Sequence, residues 1–103
     1  APQKDMEVVK YGNITLNPMT HKVLDGERDI QLGPTEFKLL HFFMTHPERV
    51  FSRSQLLDLV WGRNIYVEER TVDVHILRLR KSFTSDSSKY IQTVRGAGYR
   101  MSN

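Results

Sequence analysis

An α+β domain is predicted by three features that follow one another along the sequence. The first thirty residues contain short alternating segments separated by turn residues, which is typical of a small antiparallel sheet. Three helical patterns follow between residues 34 and 83, and the chain closes with a strand, a Gly-containing turn and a second strand. Its 103 residues are enough for one compact core and too few for two.

The N-terminal sheet is predicted to contain about four strands. Its turns are marked by Gly, Asn, Pro and Asp, which favour tight reversals between antiparallel strands. The predicted strand segments are residues 6–11, 14–16, 21–24 and 28–32, and the turns between them are Gly12-Asn13, Asn17-Pro18 and Asp25-Gly26. We therefore expect an antiparallel meander before the first helix.

The first helix is predicted to run from residue 34 to about residue 46. Pro34 suits the first helical position, and Glu36 lies in the first turn, where the helix dipole favours a negative charge. Its apolar side chains point nearly all round the axis, which predicts a helix buried between layers. These side chains are Phe37, Leu39, Leu40, Phe42, Phe43 and Met44.

The second helix is predicted from about residue 53 to residue 60. Ser52 and Gln55 have the spacing of a capping box, in which each side chain bonds to the backbone N–H of the other residue. Phe51 and Leu56 have the spacing of the hydrophobic staple that accompanies such a start. This helix therefore has an explicit N-terminal signal.

The third helix is predicted to be amphipathic, with a basic outer face. It follows a short irregular loop at residues 63–67 and extends to about residue 83. One face carries the apolar stripe Val72, Ile76, Leu79 and Phe83, which should point to the core. The opposite face carries Arg70, Val74, Leu77, Arg78 and Lys81, and Thr71 and His75 flank the stripe on one side.

Basic charge is concentrated in the C-terminal third of the chain. Residues 1–69 contain eight Lys and Arg against ten Asp and Glu, whereas residues 70–103 contain seven against two. The net charge is +3, and this asymmetry favours a polyanionic partner such as nucleic acid or anionic lipid. The alternative is a solvated surface that is merely basic.

Several functional classes are excluded or disfavoured by composition. The chain has no cysteine, which excludes disulfides, thiolate catalysis and cysteine metal sites. Its four histidines lack metal-site spacing, and no nucleophile or acid–base pair is recognisable, so we expect neither an enzyme nor a cofactor. No apolar run approaches the roughly 20 residues that a membrane helix needs, which predicts a soluble, cytoplasmic protein without membrane contact.

The second and third helices with the C-terminal hairpin form the pattern of a winged helix-turn-helix. Arg78 is the candidate for a bidentate guanine contact, and Val74 is the candidate for contact with a thymine methyl group. Arg95, at the tip of the wing, can enter the minor groove, and Thr93 and Tyr99 offer hydroxyl groups beside it. Further candidates for phosphate contacts are Arg70, Thr71, His75 and Arg80.

The sequence resembles the winged-helix effector domain of the OmpR/PhoB family of two-component response regulators. The resemblance covers residues 6–101 and rests on several motifs in the family's order. These motifs are Gly-Pro-Thr-Glu-Phe-Lys-Leu-Leu at 33–40, Arg53-x-x-Leu56, Val60-Trp61-Gly62, residues 70–76, Arg78-Leu79-Arg80-Lys81 and residues 93–99. It implies a four-stranded N-terminal sheet, three helices and a C-terminal β-hairpin wing.

The resemblance also assigns contacts to individual positions. It implies that Asp73, Val74 and Arg78 lie near bases and that Arg95 is the minor-groove arginine. The positions it implies for the DNA backbone are Trp61, Arg70, Thr71, His75, Arg80, Thr93 and Tyr99. The positions it implies for RNA polymerase, usually its sigma subunit, are Trp61, Gly62, Val67 and Glu69. Leu77 departs from close relatives, which often carry a basic residue there, so we expect one phosphate contact fewer or a compensating one.

The resemblance further implies a transcription activator, with control of phosphate-starvation genes, that binds direct DNA repeats head to tail. Family members begin with a phosphorylated receiver domain, for which this chain has no room. We therefore expect residues 1–5 to be a linker remnant and residues 6–103 to be the DNA-binding domain, monomeric when off DNA. The competing hypothesis is a winged helix whose basic face binds an acidic protein, and an enzyme is a remote third.

Overall fold

The N-terminal part of the chain forms a four-stranded antiparallel sheet, as predicted. In the computed structural model, which describes residues 7–62, 67–83 and 87–102, the strands follow sequence order across the sheet. They are β1 (Val9–Tyr11), β2 (Ile14–Asn17), β3 (Lys22–Asp25) and β4 (Arg28–Ile30). Leu16 pairs with Val23, and Val23 pairs with Ile30, so alternate residues of neighbouring strands line one buried face.

Three helices follow the sheet, and the first two begin where the sequence predicts. They are α1 (Pro34–Thr45), α2 (Arg53–Leu56) and α3 (Arg70–Ser82). Ser52 and Gln55 form the predicted capping box, with both reciprocal hydrogen bonds present. The third helix begins at Arg70, three residues after the end of the loop predicted at residues 63–67.

The second helix differs from its prediction at its C-terminal end. A regular helix was expected to about residue 60, but α2 passes directly into a π-helical turn at Leu57–Trp61. The backbone N–H of Gly62 donates to the carbonyl of Leu57 at 2.9 Å, five residues earlier. Gly62 has φ of 102°, a left-handed conformation that few other residues adopt, so the helix ends there.

A β-hairpin closes the fold. Its strands are β5 (Ile91–Val94) and β6 (Gly98–Met101), preceded by a short 3-10 turn at Ser88–Tyr90. Phe51, just before α2, exchanges two backbone hydrogen bonds with Tyr99 of β6, at 2.8 and 2.9 Å. The hairpin is therefore attached by its backbone to the start of α2.

Among the described residues, one hydrophobic core joins the sheet, the helices and the hairpin. The predicted stripe of α3 is buried in it, including Val72, Ile76 and Leu79, and so are most of the apolar residues predicted for α1. Phe42 is half-buried at the edge of the core. No helix within the described residues has the length and apolar character needed to cross a membrane.

Candidate nucleic-acid interface

The outward face of α3 carries cations and exposed apolar side chains together. Arg70, Arg78 and Lys81 are exposed, and within the described part of the chain none of them forms an ion pair or a side-chain hydrogen bond. Val74 is 45% exposed and Leu77 is 51% exposed on the same face. Because the opposite face is buried in the core, α3 is held rigidly with these five side chains directed outward.

Asp73 connects α3 to both neighbouring elements. One carboxylate oxygen accepts a hydrogen bond from Arg53 of α2 at 3.3 Å, and the other accepts from the hydroxyl of Tyr99 in the hairpin. Burial, together with the hydrogen bond to Asp73 and its negative charge, raises the pKa of Tyr99 to about 12. The phenol therefore remains a neutral donor to Asp73 at physiological pH.

Arg80 forms a second connection between α3 and the hairpin. Its Nε donates to the carbonyl of Ile91 at 2.9 Å, and its Nη2 donates to the hydroxyl oxygen of Thr93 at 2.7 Å. Its guanidinium carbon lies 5.7 Å from the centre of the Tyr99 ring. Asp73 and Arg80 thus fix the angle between α3 and the hairpin from two successive turns of the helix.

The other edge of α3 packs against the end of the second helix. His75 Nδ1 donates to the carbonyl of Thr71 at 2.9 Å, and its ring contacts Trp61 edge to face at 5.3 Å. His75 Nε2 lies 3.7 Å from a carboxylate oxygen of the buried Glu36. Trp61 and His75 are therefore half-buried, with part of each surface left for a contact.

The hairpin presents Arg95 at its exposed tip. Ala97 N–H donates to the carbonyl of Val94 at 2.9 Å and closes the turn around Arg95 and Gly96. At the base, Gly98 has φ of 140°, and a Cβ atom there would lie 2.0 Å from the carbonyl oxygen of Phe51. Glycine is required at this position because the hairpin and the segment before α2 approach so closely.

The predicted polymerase-contact positions form one segment, part of which lies outside the described residues. Trp61, Gly62 and Val67 are half-buried, and Glu69 is exposed immediately before α3. Residues 63–66 are not among the described residues. Apart from Trp61, which is predicted to contact both DNA and polymerase, the predicted DNA contacts lie on α3 and the hairpin, and this segment precedes α3 in the chain.

Arg53 is the residue of this surface to which the sequence patterns gave no role. It is 20 positions from Asp73 in the chain, so local spacing could not pair the two residues. Its place in the motif Arg53-x-x-Leu56 was the available signal.

Within the described residues, no group of three or more His, Asp or Glu side chains is arranged to hold a metal ion.

Comparison with known proteins gives one family. A family model described as "Transcriptional regulatory protein, C terminal" matches residues 26–101. The chain is 59% identical over 103 residues to the phosphate regulon transcriptional regulatory protein PhoB of Shigella flexneri, covering 99% of this chain and 45% of that protein. The PhoB of Escherichia coli K12 is 57% identical over the same length and coverage. The chain thus spans less than half of these curated relatives.

Comparison with solved structures points to the same family. The Klebsiella pneumoniae RstA DNA-binding domain, solved in complex with the RstA box, superposes with a TM-score of 0.81 at 30% identity. That match covers 93% of this chain and 97% of the other. The response regulator DrrB, described as an OmpR/PhoB homologue of Thermotoga maritima, superposes with a TM-score of 0.82 at 28% identity, covering 93% of this chain and 44% of the other.

Proposed function

This chain belongs to the OmpR/PhoB family of transcriptional regulatory proteins, and from that membership we propose that it binds specific sequences in double-stranded DNA. The observation that supports the proposal most strongly is the outward face of α3. Arg70, Arg78 and Lys81 lie there without a partner among the described residues, on a helix fixed to the core. The major groove accepts one α-helix and offers base edges to its side chains.

In this proposal, α3 lies in the major groove and the hairpin is the wing. Arg78 bonds a guanine, Val74 contacts a thymine methyl group, and Arg95 enters the adjacent minor groove. Asp73 is also proposed near bases. Its carboxylate is already held by Arg53 and Tyr99, so a base contact by Asp73 would exchange one of these bonds for a bond to DNA.

The phosphate contacts are proposed along both edges of α3 and on the wing. Arg70 is exposed and needs no rearrangement, whereas Arg80 already donates to Ile91 and Thr93. Thr93 accepts from Arg80, which leaves its hydroxyl proton for a phosphate oxygen. The hydroxyl proton of Tyr99 is directed to Asp73 and would have to turn away. The remaining proposed backbone contacts are Trp61, Thr71 and His75.

A second contact is proposed with the sigma subunit of RNA polymerase, through Trp61, Gly62, Val67 and Glu69. Support comes from the exposure of Glu69 immediately before α3 and from the packing of Trp61 on His75. This packing would place a bound polymerase beside the DNA-reading helix. Within the full-length regulator, we propose activation of phosphate-starvation genes through tandem binding to direct repeats, in the cytoplasm and without enzymatic activity.

The test is a selection of this domain on random duplex DNA, followed by titration of the selected and a scrambled duplex over a salt series. Specific DNA binding predicts a defined motif, bound at least about 10³-fold more tightly than the scrambled duplex. No motif, together with affinity that depends on salt alone, would contradict the proposal. That outcome would favour a basic surface that binds an acidic protein.

A further inference from the structure

Two large apolar side chains are exposed on the outward face of α3, where the cations also lie. Val74 is 45% exposed and Leu77 is 51% exposed, and both lie outside the hydrophobic core. They are separated by one turn, about 4.5 Å along the axis and about 60° around it. Single exposed apolar residues are ordinary on protein surfaces, but here two adjoin on the face that carries Arg70, Arg78 and Lys81.

Leu77 lies on the wing side of Val74. Its neighbours one turn away on that side are Asp73 and Arg80, and both are bonded to the hairpin through Tyr99, Ile91 and Thr93. Arg78 is on the other side of Val74, towards His75 and Trp61. The outward face of α3, which we call the reading face, therefore has Arg78 on one edge and the isobutyl group of Leu77 on the edge nearest the wing.

The chemistry of the major groove restricts what Leu77 can contact favourably. A phosphate placed against an isobutyl group would lose water and gain no hydrogen bond, which is unfavourable. The only apolar group on a base edge in the major groove is the C5-methyl of thymine. Leu77 and Val74 are close enough together to meet methyl groups on neighbouring base pairs, which are about 3.4 Å apart.

We propose that Leu77 is a specificity-determining residue that contacts the methyl group of a second thymine, on the wing side of the thymine contacted by Val74. This inference rests on the proposed function, because it requires α3 to lie in the major groove. It replaces the expected loss of a phosphate contact with a gain in base discrimination.

The structure also makes Leu77 suitable for substitution. Its side chain fills no part of the core, so Leu77→Ala leaves no cavity and places a strong helix-forming residue on an exposed helix surface. The thermal midpoint of this variant should match that of the parent protein. A change in DNA recognition would then come from the lost contact and not from unfolding.

The experiment replaces each thymine of the selected site, one at a time, by deoxyuridine, which lacks only the methyl group. For the parent protein, we expect affinity to fall by about fourfold at two thymines, the loss that corresponds to one buried methyl group. Leu77→Ala should abolish the sensitivity at one of them, and Val74→Ala should abolish it at the other. Each variant thus serves as the matched control for the other.

Two further variants separate apolar contact from size and charge. Leu77→Met keeps an apolar side chain of similar volume and should retain the sensitivity to deoxyuridine. Leu77→Arg should lose this sensitivity and gain a phosphate contact, which would steepen the salt dependence of log K by about one unit.

The outcomes distinguish failure of this inference from failure of the proposed function. If Leu77→Ala responds to every deoxyuridine as the parent does, or weakens binding to all duplexes equally, Leu77 does not read a methyl group. A selected site with no second methyl-sensitive thymine overturns the inference in the same way. In each of these cases specific DNA binding remains. If the parent protein shows no sequence preference at all, the proposed function has failed first.

Discussion

Some side chains of α3 are hydrogen-bonded to other elements of the protein, and others are exposed without such a bond among the described residues. Asp73 is bonded to α2 and to the wing, and Arg80 is bonded to the wing. Arg78, Val74 and Leu77 extend into solvent. The bonded residues fix the position of the others, because each spans two elements. Removing a bonded residue should therefore change geometry, whereas removing an unbonded residue should change a single contact.

Arg78→Ala tests the assignment of the base-reading residue. A bidentate contact with guanine is worth about 1–3 kcal/mol, and its loss should relax the preference at one base pair only. Repeating the selection and titration with the variant measures both effects. Lys38→Ala is the charge-matched control, since Lys38 is exposed on α1, away from the reading face, and its removal should preserve the motif. If Arg78→Ala selects the same DNA motif as the parent protein, Arg78 does not contact a base.

Tyr99 should make folding stability depend on pH in the alkaline range. Its pKa is about 12 in the folded protein and 10.0 in its unperturbed state, so the neutral phenol is favoured by folding. This contribution is complete below about pH 10 and is lost as pH rises through about 12. The difference in free energy of unfolding between the parent and Tyr99→Phe should be constant to pH 10 and shrink above it. A difference that does not vary up to pH 12 would contradict the role of the hydroxyl.

The wing is an element whose position depends on a few contacts at its base. Its two strands are joined to the rest of the protein by burial of their apolar side chains in the core, by backbone hydrogen bonds to the segment before α2, and by the side chains of Asp73 and Arg80. The tip, with Arg95 and Gly96, makes no such attachment within the described residues. The base is therefore structural, and the tip is available for a ligand.

The two glycines of the wing give a matched test of this division. Gly96 has φ of 76°, and a Cβ atom added there would meet nothing within 4 Å among the described atoms, so Gly96→Ala should cost only the left-handed backbone penalty, about 1–2 kcal/mol. Gly98→Ala adds a collision with the Phe51 carbonyl and should cost about 3 kcal/mol or more. Denaturant unfolding of both variants measures the difference. Equal losses would show that the close approach at the base relaxes freely.

The dimensions of the whole domain limit how two copies can share DNA. Its longest extents are 35 and 34 Å, close to the length of one turn of the double helix. If two copies bind in the same orientation on one face of the duplex, their half-sites should repeat every 10–11 base pairs, roughly one turn. Its charge is also asymmetric, since residues 70–103, with α3 and the wing, have a net charge of +5, whereas residues 1–69 have a net charge of −2.

Changing the spacing between half-sites tests the tandem arrangement. Inserting about five base pairs, half a turn, should place the second copy on the opposite face and abolish cooperative binding while leaving the single-site affinity unchanged. An insertion of a full turn should restore the original orientation. Gel-shift titrations of the three duplexes measure this, and equal cooperativity on all of them would exclude contact between neighbouring copies.

Glu69→Lys tests whether the segment that borders α3 has a function separate from DNA binding. Glu69 is exposed and belongs to none of the bonds that attach the wing, so reversing its charge should leave the DNA motif intact. Activation by the full-length regulator should be lost if this residue contacts polymerase. Transcription assays with purified polymerase measure it, and Glu68→Lys, the exposed neighbour, is the control that should activate normally. Full activation by Glu69→Lys would show that Glu69 does not contact RNA polymerase.

Much of the fold and part of the site follow from local sequence. Alternation predicted the four strands, the capping box predicted the start of α2, and the apolar stripe predicted the buried face of α3. These features depend on residues within about four positions of one another, so spacing alone reveals them. The outward positions of Val74 and Arg78 follow from the same periodicity, and the DNA contacts assigned to them remain predictions.

The connections between elements could not be predicted in this way. Arg53 is 20 residues from Asp73, Tyr99 is 26 residues from it, and Thr93 is 13 residues from Arg80. Such pairs form only after the helices and the hairpin have packed, since no local pattern constrains residues this far apart. The π-helical turn at Leu57–Trp61 was likewise not predicted, since the sequence pattern indicated a regular helix there. The residues of the reading face could therefore be predicted from the sequence, whereas the alignment of this face with the wing arises only when the helices and the hairpin pack together.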